Sequence, residues 1–334
     1  MKVVFTICSN NYLAQAKTLG DSLMIYNPDY HFVIGLVDRL NEEIDYTFFN
    51  PYEIIPIENI GIDGFDDMFA RYNITELNTS VKPFIFHYLF SRNSDVNAII
   101  YLDPDIIIYQ PIQELEKNLL KYNIILTPHF FTPIYDKYYL SEPSILNAGL
   151  YNLGFLAVKR SEVSEQFLKW WMIKLKDQCY IDFINGFFVD QLWINFVPLY
   201  FENILILKHL GYNVAYWNLH ERYITGKKNN YTINSQFQLI FYHFSGFNFG
   251  KPNVISKHQD RFTFDERKDI LPLFEDYTQR IMINQYQKYF SLPCYYVELK
   301  KKLNSEKRPS PYYYNNRGPL TFSKLALKKI LNRL

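Results

Sequence analysis

Cysteine is scarce in this 334-residue chain: Cys8, Cys179 and Cys294 lie far apart and share no paired spacing. That pattern argues against a disulfide framework or a cysteine-based zinc site, and it fits a reducing, cytoplasmic setting. Glycine is also scarce, 12 residues in all. None falls in residues 6–12, where a glycine-rich phosphate-binding loop would follow a first strand. No apolar run approaches the roughly 20 residues of a membrane span. The apolar start, residues 1–7, is interrupted by Asn10 and Asn11; it is too short for a secretion signal and reads as a first strand. An excess of one charge is missing too. Lys and Arg number 35 against 34 Asp and Glu, a net charge of +1, so bulk electrostatics gives no reason to expect a nucleic-acid partner. No internal repeat is evident.

What is there is a large apolar and aromatic complement: 48% hydrophobic residues, with 29 Tyr and 28 Phe. This supports one large α/β domain or two small ones. The aromatics suit sugar- or base-binding clefts, or they reflect a genome biased toward Tyr, Asn, Lys and Ile. Residues 3–7, 31–37, 53–57 and 97–102 read as strands. Between them, residues 11–26 carry Leu13, Ala16, Leu19, Leu23 and Met24 at helical spacing. Ser80 is positioned to cap a helix through residue 90, with Lys82 and Pro83 in its first turn. This alternation predicts a mixed, mostly parallel sheet flanked by helices, with ligands beyond the carboxyl ends of the strands. Further on, residues 150–158 read as a strand, 161–176 and 189–196 as helices, 237–244 as one continuous β run, and 269–290 as a helix.

The most informative segment is Asp103-Pro104-Asp105, set between the apolar runs 98–102 and 106–108. Two carboxylates so close, at a strand end, need compensation if they are buried. Hard oxygen ligands that leave open positions favour Mg²⁺ or Mn²⁺ shared with substrate phosphates, which points to chemistry on a nucleoside diphosphate. The plainer reading is a surface turn centred on Pro104. His243, after an apolar β run and before a turn glycine, is a candidate third ligand, since neutral imidazole suits Mn²⁺.

A helix bearing a basic residue, followed by an apolar strand ending in Asp-x-Asp, resembles the GT-A (Rossmann-like) glycosyltransferases, in particular their retaining, family-8-like branch. The resemblance spans about residues 1 to 255. It implies that Asp103 and Asp105 hold the divalent cation and that Lys82 is the basic residue near the donor diphosphate. The family pattern His-x-x-Gly-x-x-Lys-Pro corresponds to His243, Gly246, Lys251 and Pro252, with two extra residues before Lys251. That match adds His243 as a metal ligand and Lys251 as a diphosphate clamp. Asn11 and Tyr12 match the segment that lines the nucleotide base. The acidic residue common just before them is replaced by Ser9 and Asn10, so uracil is implied by resemblance alone. Asn147-Ala-Gly149 and Asn152-Leu-Gly154 both resemble the sugar-contact segment. Asp190-Gln191 resembles the pair beside the reacting sugar, as nucleophile or as stabiliser of an oxocarbenium-like state. On a helix these two side chains point in different directions, so both cannot be buried on one face, and one of them is expected to face the cleft.

The expectation is therefore a metal-dependent hexosyltransferase-like enzyme. It would move a sugar from a nucleoside diphosphate, UDP by resemblance, to a hydroxyl of a glycan or lipid-linked acceptor, with retention, in glycan or polysaccharide synthesis. A nucleotidyltransferase and a non-catalytic nucleotide-sugar or glycan-binding protein are the rivals. The expected organisation is a catalytic domain over 1–265, a helical extension over 266–304, a linker over 305–319 and a basic amphipathic helix over 320–334. That last helix can lie on an anionic membrane surface, pack back on the domain or serve in a dimer.

Overall fold

The computed structural model describes residues 1–228 and 230–306. Residues 1–297 form one compact unit, and a second begins at Glu298. The core sheet has seven strands: β1 (Lys2–Cys8), β2 (Tyr30–Leu36), β3 (Glu53–Pro56), β4 (Ala98–Leu102), β6 (Ile124–Leu126), β7 (Phe155–Lys159) and β10 (Ile204–Ile206). Their spatial order is β10-β6-β7-β4-β1-β2-β3. β1 runs parallel to β2 and β4, β2 to β3, and β10 to β6, whereas β7 is antiparallel to both of its neighbours. The expected mixed, mostly parallel sheet is the one observed. β1 and β2 are apolar and buried almost throughout, as strands covered on both faces require. Small sheets complete the strand set: β5 (Ile106–Ile108) with β14 (Phe241–His243), β8 (Ile181–Asp182) with β9 (Phe187–Phe188), and β11 (Ile224–Lys227), β12 (Asn230–Ile233) and β13 (Phe237–Gln238).

The helices are α1 (Leu13–Tyr26), α2 (Phe65–Arg71), α3 (Ile74–Ser80), α4 (Lys82–Arg92), α5 (Gln113–Lys121), α6 (Glu142–Ala148), α7 (Glu162–Asp177), α8 (Val197–Tyr200), α9 (Leu271–Ile283), α10 (Tyr286–Phe290) and α11 (Tyr295–Glu306). α7 begins as its sequence suggests. Ser161 accepts the Ser164 amide, Glu162 and Glu165 occupy the first turn, and Lys174 and Lys176 the last. α3 is closed by a reciprocal capping box between Asn73 and Glu76.

Four local expectations are corrected. Ser80 does not cap α4: its hydroxyl donates back to the Leu77 carbonyl, and Val81 joins the two helices. Residues 189–196 are not one helix. Val189 has φ 40, and a 3₁₀ turn begins only at Leu192. The β run 237–244 is divided between two sheets, because β13 pairs with β12 while β14 pairs with β5. The helix over 269–290 breaks at Asn284–Gln285, where Gln285 has φ 63. Helices α9 and α10 contribute Leu273, Phe274, Tyr277, Ile281, Tyr286 and Tyr289 to the same apolar core as β1 and β2. The segment expected as a helical extension is thus packed within the compact unit as far as Val297. Beyond its first two residues the expected linker lies outside the described residues, as does the basic amphipathic helix. Among the described residues no helix is long and apolar enough to cross a membrane.

Candidate functional site

The Asp103 amide donates to the Gly154 carbonyl (2.9 Å) as the chain leaves β4. It then turns at Pro104 into β5. β14 lies antiparallel to β5 with His243 opposite Ile106, and the Phe244 amide donates to the Asp105 carbonyl (2.8 Å). Strand pairing therefore carries His243 to the turn. Its Nε2 lies 2.9 Å from Asp105 Oδ1 and 3.6 Å from Asp103 Oδ2. One ligand atom from each of the three residues falls within 4.8 Å of the others. The carboxylates are partly open, with side-chain exposures of 30% and 24%, while His243 sits behind them at 3%. Burial raises the Asp103 pKa against the pull of Lys82 and His243. For His243, burial opposes protonation, but the Asp105 and Asp103 carboxylates outweigh it and raise its pKa.

Two neighbours fix this cluster. Asn213 is buried and adopts φ 53, a conformation that asparagine tolerates. Its Nδ2 donates to Thr127 Oγ1 and Asn152 Oδ1, both at 3.0 Å. That leaves its Oδ1 to accept from His243 Nδ1 at 3.4 Å. With the Nδ1 proton turned toward Asn213, a neutral His243 would have its Nε2 lone pair free for a cation shared with the two carboxylates, and a protonated His243 donates from Nε2 to Asp105 instead. Gly154 closes the other side. A Cβ there would sit 2.3 Å from His243 Cε1 and 2.8 Å from Asp103 Oδ2. Gly154 therefore lies directly against the cluster. Sequence reasoning missed Asn213; the only signal was a polar residue inside the strand-like aromatic stretch 212–216.

Lys82 and Asp190 form a second, closed ion pair. Nζ lies 2.5 Å from Asp190 Oδ2, and the two side chains are 2% and 3% exposed. Lys82 also donates to the Leu153 carbonyl (2.8 Å) and lies over the Tyr101 ring. The Tyr101 hydroxyl in turn donates to Asp103 Oδ1. Lys82 thus links Asp190 to the acidic turn. Burial raises the Asp190 pKa against the lowering effect of Lys82. Asp190 and Gln191 are both buried. The helix-based expectation that only one could face inward fails because the two residues precede the 3₁₀ turn instead of lying on a helix. Gln191 Nε2 donates to the Ala148 carbonyl (2.9 Å), and its Oε1 accepts the Leu153 amide (3.2 Å). It thereby ties together the two Asn-x-Gly segments. Asn152 is buried and engaged, its Oδ1 accepting from Asn213 and from the Gly154 amide, whereas Asn147 is exposed at the end of α6.

A cavity of about 250 Å³ joins the acidic turn to the first strand. Ser9, Asn11, Tyr12 and Asn78 line it together with Asp103 and Asp105. Tyr12 is 44% exposed. Asn10 is turned away, donating to the Arg39 carbonyl and accepting from the Tyr46 hydroxyl. Three larger cavities, about 290, 400 and 450 Å³, contain none of the sequence-derived site residues. Gly246 adopts φ 73 three residues after His243. Lys251 lies in an exposed turn in which its own amide donates to the Asn248 carbonyl.

No family model matches the chain. It is 22% identical over 254 residues to the uncharacterized protein YfnF of Bacillus subtilis (strain 168), covering 75% of this chain and 84% of that one. With YfnD of the same organism it is 23% identical over 252 residues, covering 72% and 76%. Among solved structures, the galactosyltransferase LgtC in complex with donor and acceptor sugar analogues superposes with TM-score 0.50 at 14% identity, over 88% of this chain and 98% of that one. The likeness to LgtC is one of fold, and it agrees with the GT-A arrangement of the sheet and helices described above.

Proposed function

We propose that this protein is a metal-dependent glycosyltransferase that moves a sugar from a nucleoside diphosphate to an acceptor hydroxyl on a glycan. The observation that carries the reading is the convergence of Asp103, Asp105 and His243 beside a cavity that the two carboxylates line together with Ser9, Asn11 and Tyr12. The three donors fit Mn²⁺ or Mg²⁺. Two are hard carboxylate oxygens open to solvent, and the third is an imidazole nitrogen whose tautomer Asn213 fixes. A divalent cation there would supply charge neutralisation for the departing diphosphate.

Tyr12 offers a face for base stacking, and Ser9 and Asn11 offer polar atoms for the base and ribose. UDP is the donor nucleotide we assign by resemblance. Asn147 is the exposed member of the two Asn-x-Gly segments and the one available to a sugar. Gln191, which bonds to both segments, is the residue we assign beside the reacting sugar. Asp190 is tied to Lys82, which makes it a poor base for an acceptor hydroxyl. That pairing favours transfer with retention, in which the leaving phosphate takes the acceptor proton.

The test is incubation of the purified protein with a panel of UDP-sugars and Mn²⁺, with and without glycan acceptors, measuring released UDP. Release that chelation abolishes is expected. Absence of release with every nucleotide sugar would count decisively against the proposal.

A further inference from the structure

The chain between Gly246 and Ser256 makes an excursion whose two ends meet. Phe247 and Phe249 pack against Phe274, Tyr277 and Tyr286. Residues 250–254 then run exposed through the turn that carries Lys251. Ile255 and Ser256 are buried again, and the Lys257 amide donates to the Gly246 carbonyl at 3.0 Å. The returning segment is seated tightly. A Cβ on Gly246 would fall 2.4 Å from Ser256 Oγ and 2.5 Å from His258 Cδ2. The His258 amide donates to Ser256 Oγ, which closes the turn.

This return connects the His258 ring to the acidic cluster through two aromatic rings, with Lys257 beside it in the chain. The His258 ring lies 6.1 Å from Tyr216, Tyr216 lies 5.0 Å from Trp217, and Trp217 meets His243 edge-on at 5.2 Å. Burial lowers the His258 pKa, and Lys257 adds to this against the opposing pull of Asp105. Lys251 and Lys257 both lack an ion-pair partner among the described residues, so pairing does not distinguish them. Their placement does: Lys251 rides the outward turn, and Lys257 is bonded through its backbone to the glycine three residues beyond His243.

We propose that Lys257 and His258, rather than Lys251, form the clamp on the donor diphosphate, Lys257 as its cation and His258 as a neutral imidazole N–H donor, with Gly246 kept free of a side chain so that the 256–258 turn can dock. The two-residue excess between Gly246 and Lys251 is absorbed by the outward turn, and the clamp is supplied from the return. The proposal rests on the nucleotide-sugar reading of the site. It concerns binding alone.

The test is calorimetric titration of the full chain, in Mn²⁺, with UDP, GDP and ADP and with the matching nucleosides. Lys257→Ala and Lys257→Gln are expected to weaken the tightest nucleoside diphosphate on the order of tenfold and His258→Gln by a few-fold, as expected for lost charge-assisted hydrogen bonds. Nucleoside binding should not change, a split that a merely structural role would not produce. Lys251→Ala is the rival variant. Undiminished diphosphate binding by both Lys257 variants, or a tenfold loss on Lys251→Ala instead, would overturn this assignment while leaving the nucleotide-sugar reading intact. Wild-type protein that bound none of the three diphosphates would overturn both.

Discussion

Two groups of charged side chains lie within one region of this protein and are handled in opposite ways. At the end of β4, Asp103 and Asp105 stay partly open, and no Lys or Arg forms a salt bridge with either among the described residues; the nearest basic group is the imidazole of His243. A short distance inward, Lys82 and Asp190 neutralise one another out of reach of solvent. The first group is incomplete in charge and accessible, the arrangement expected of a site that takes up a cation from outside. The second is complete and sealed, so its work is to hold Leu153, Tyr101 and the 189–191 turn in place. Similar residue types thus yield a candidate cation site in one place and a scaffold in the other, and the difference lies in exposure and pairing.

Substitutions that exchange these roles sharpen the contrast. Removing both carboxylates, Asp103→Ala with Asp105→Ala, should lower sugar-nucleotide turnover by about 10³-fold or more with little change in melting temperature. Turnover within tenfold of wild type would end the metal-site assignment. Lys82→Ala should act on stability first, because it leaves Asp190 buried and unpaired, at a cost of about 3–5 kcal/mol readable by urea denaturation. Replacing both partners, Lys82→Met with Asp190→Leu, should recover most of that stability and, with it, turnover. Turnover that stayed depressed at restored stability would show that the pair does more than scaffold.

Protons give a further comparison. His129, buried behind Asn152 and Trp217, has its pKa lowered from 6.5 to about 4, chiefly by burial. Below pH 6.5 the unfolded chain takes up a proton that the folded chain refuses until about pH 4. Stability is therefore lost as pH falls through that window, by up to about 3 kcal/mol. His129→Gln should flatten the slope of unfolding free energy against pH there, and an unchanged slope would assign the acid sensitivity elsewhere. The smallest expected effect is that of Asn213→Leu, which removes the acceptor for His243 Nδ1. Mn²⁺ affinity should fall roughly 10- to 100-fold, measured by titration, with the carboxylates untouched. Affinity equal to wild type would mean that His243 needs no such orientation.

Much of the sheet was legible because its strands are short apolar runs separated by an amphipathic helix and polar turns, and the register of burial followed. Asp103 and Asp105 were legible because carboxylates interrupt an apolar stretch, and His243 because it stands where a β run meets a turn glycine. What brings them together was not: the pairing of β14 with β5 joins segments more than 130 residues apart, and nothing local in residues 237–244 announces that they leave one sheet for another. Lys82 and Asp190, 108 positions apart, could be matched only in space. Asn213 was hidden for a related reason, since its use depends on Thr127, Asn152 and His243 meeting around it.

Gly154 carries a consequence for anyone mapping tolerance across this chain. It has no side chain and performs no chemistry, yet every replacement would push atoms into His243 and Asp103. In a saturation screen scored on activity, position 154 would be as unforgiving as the carboxylates. Scored on soluble expression, the same position would be expected to separate from them, because its clash strains the packing behind the site whereas loss of a carboxylate leaves that packing whole. Reading the two screens side by side would distinguish residues that meet the substrate from those that only leave room for the ones that do.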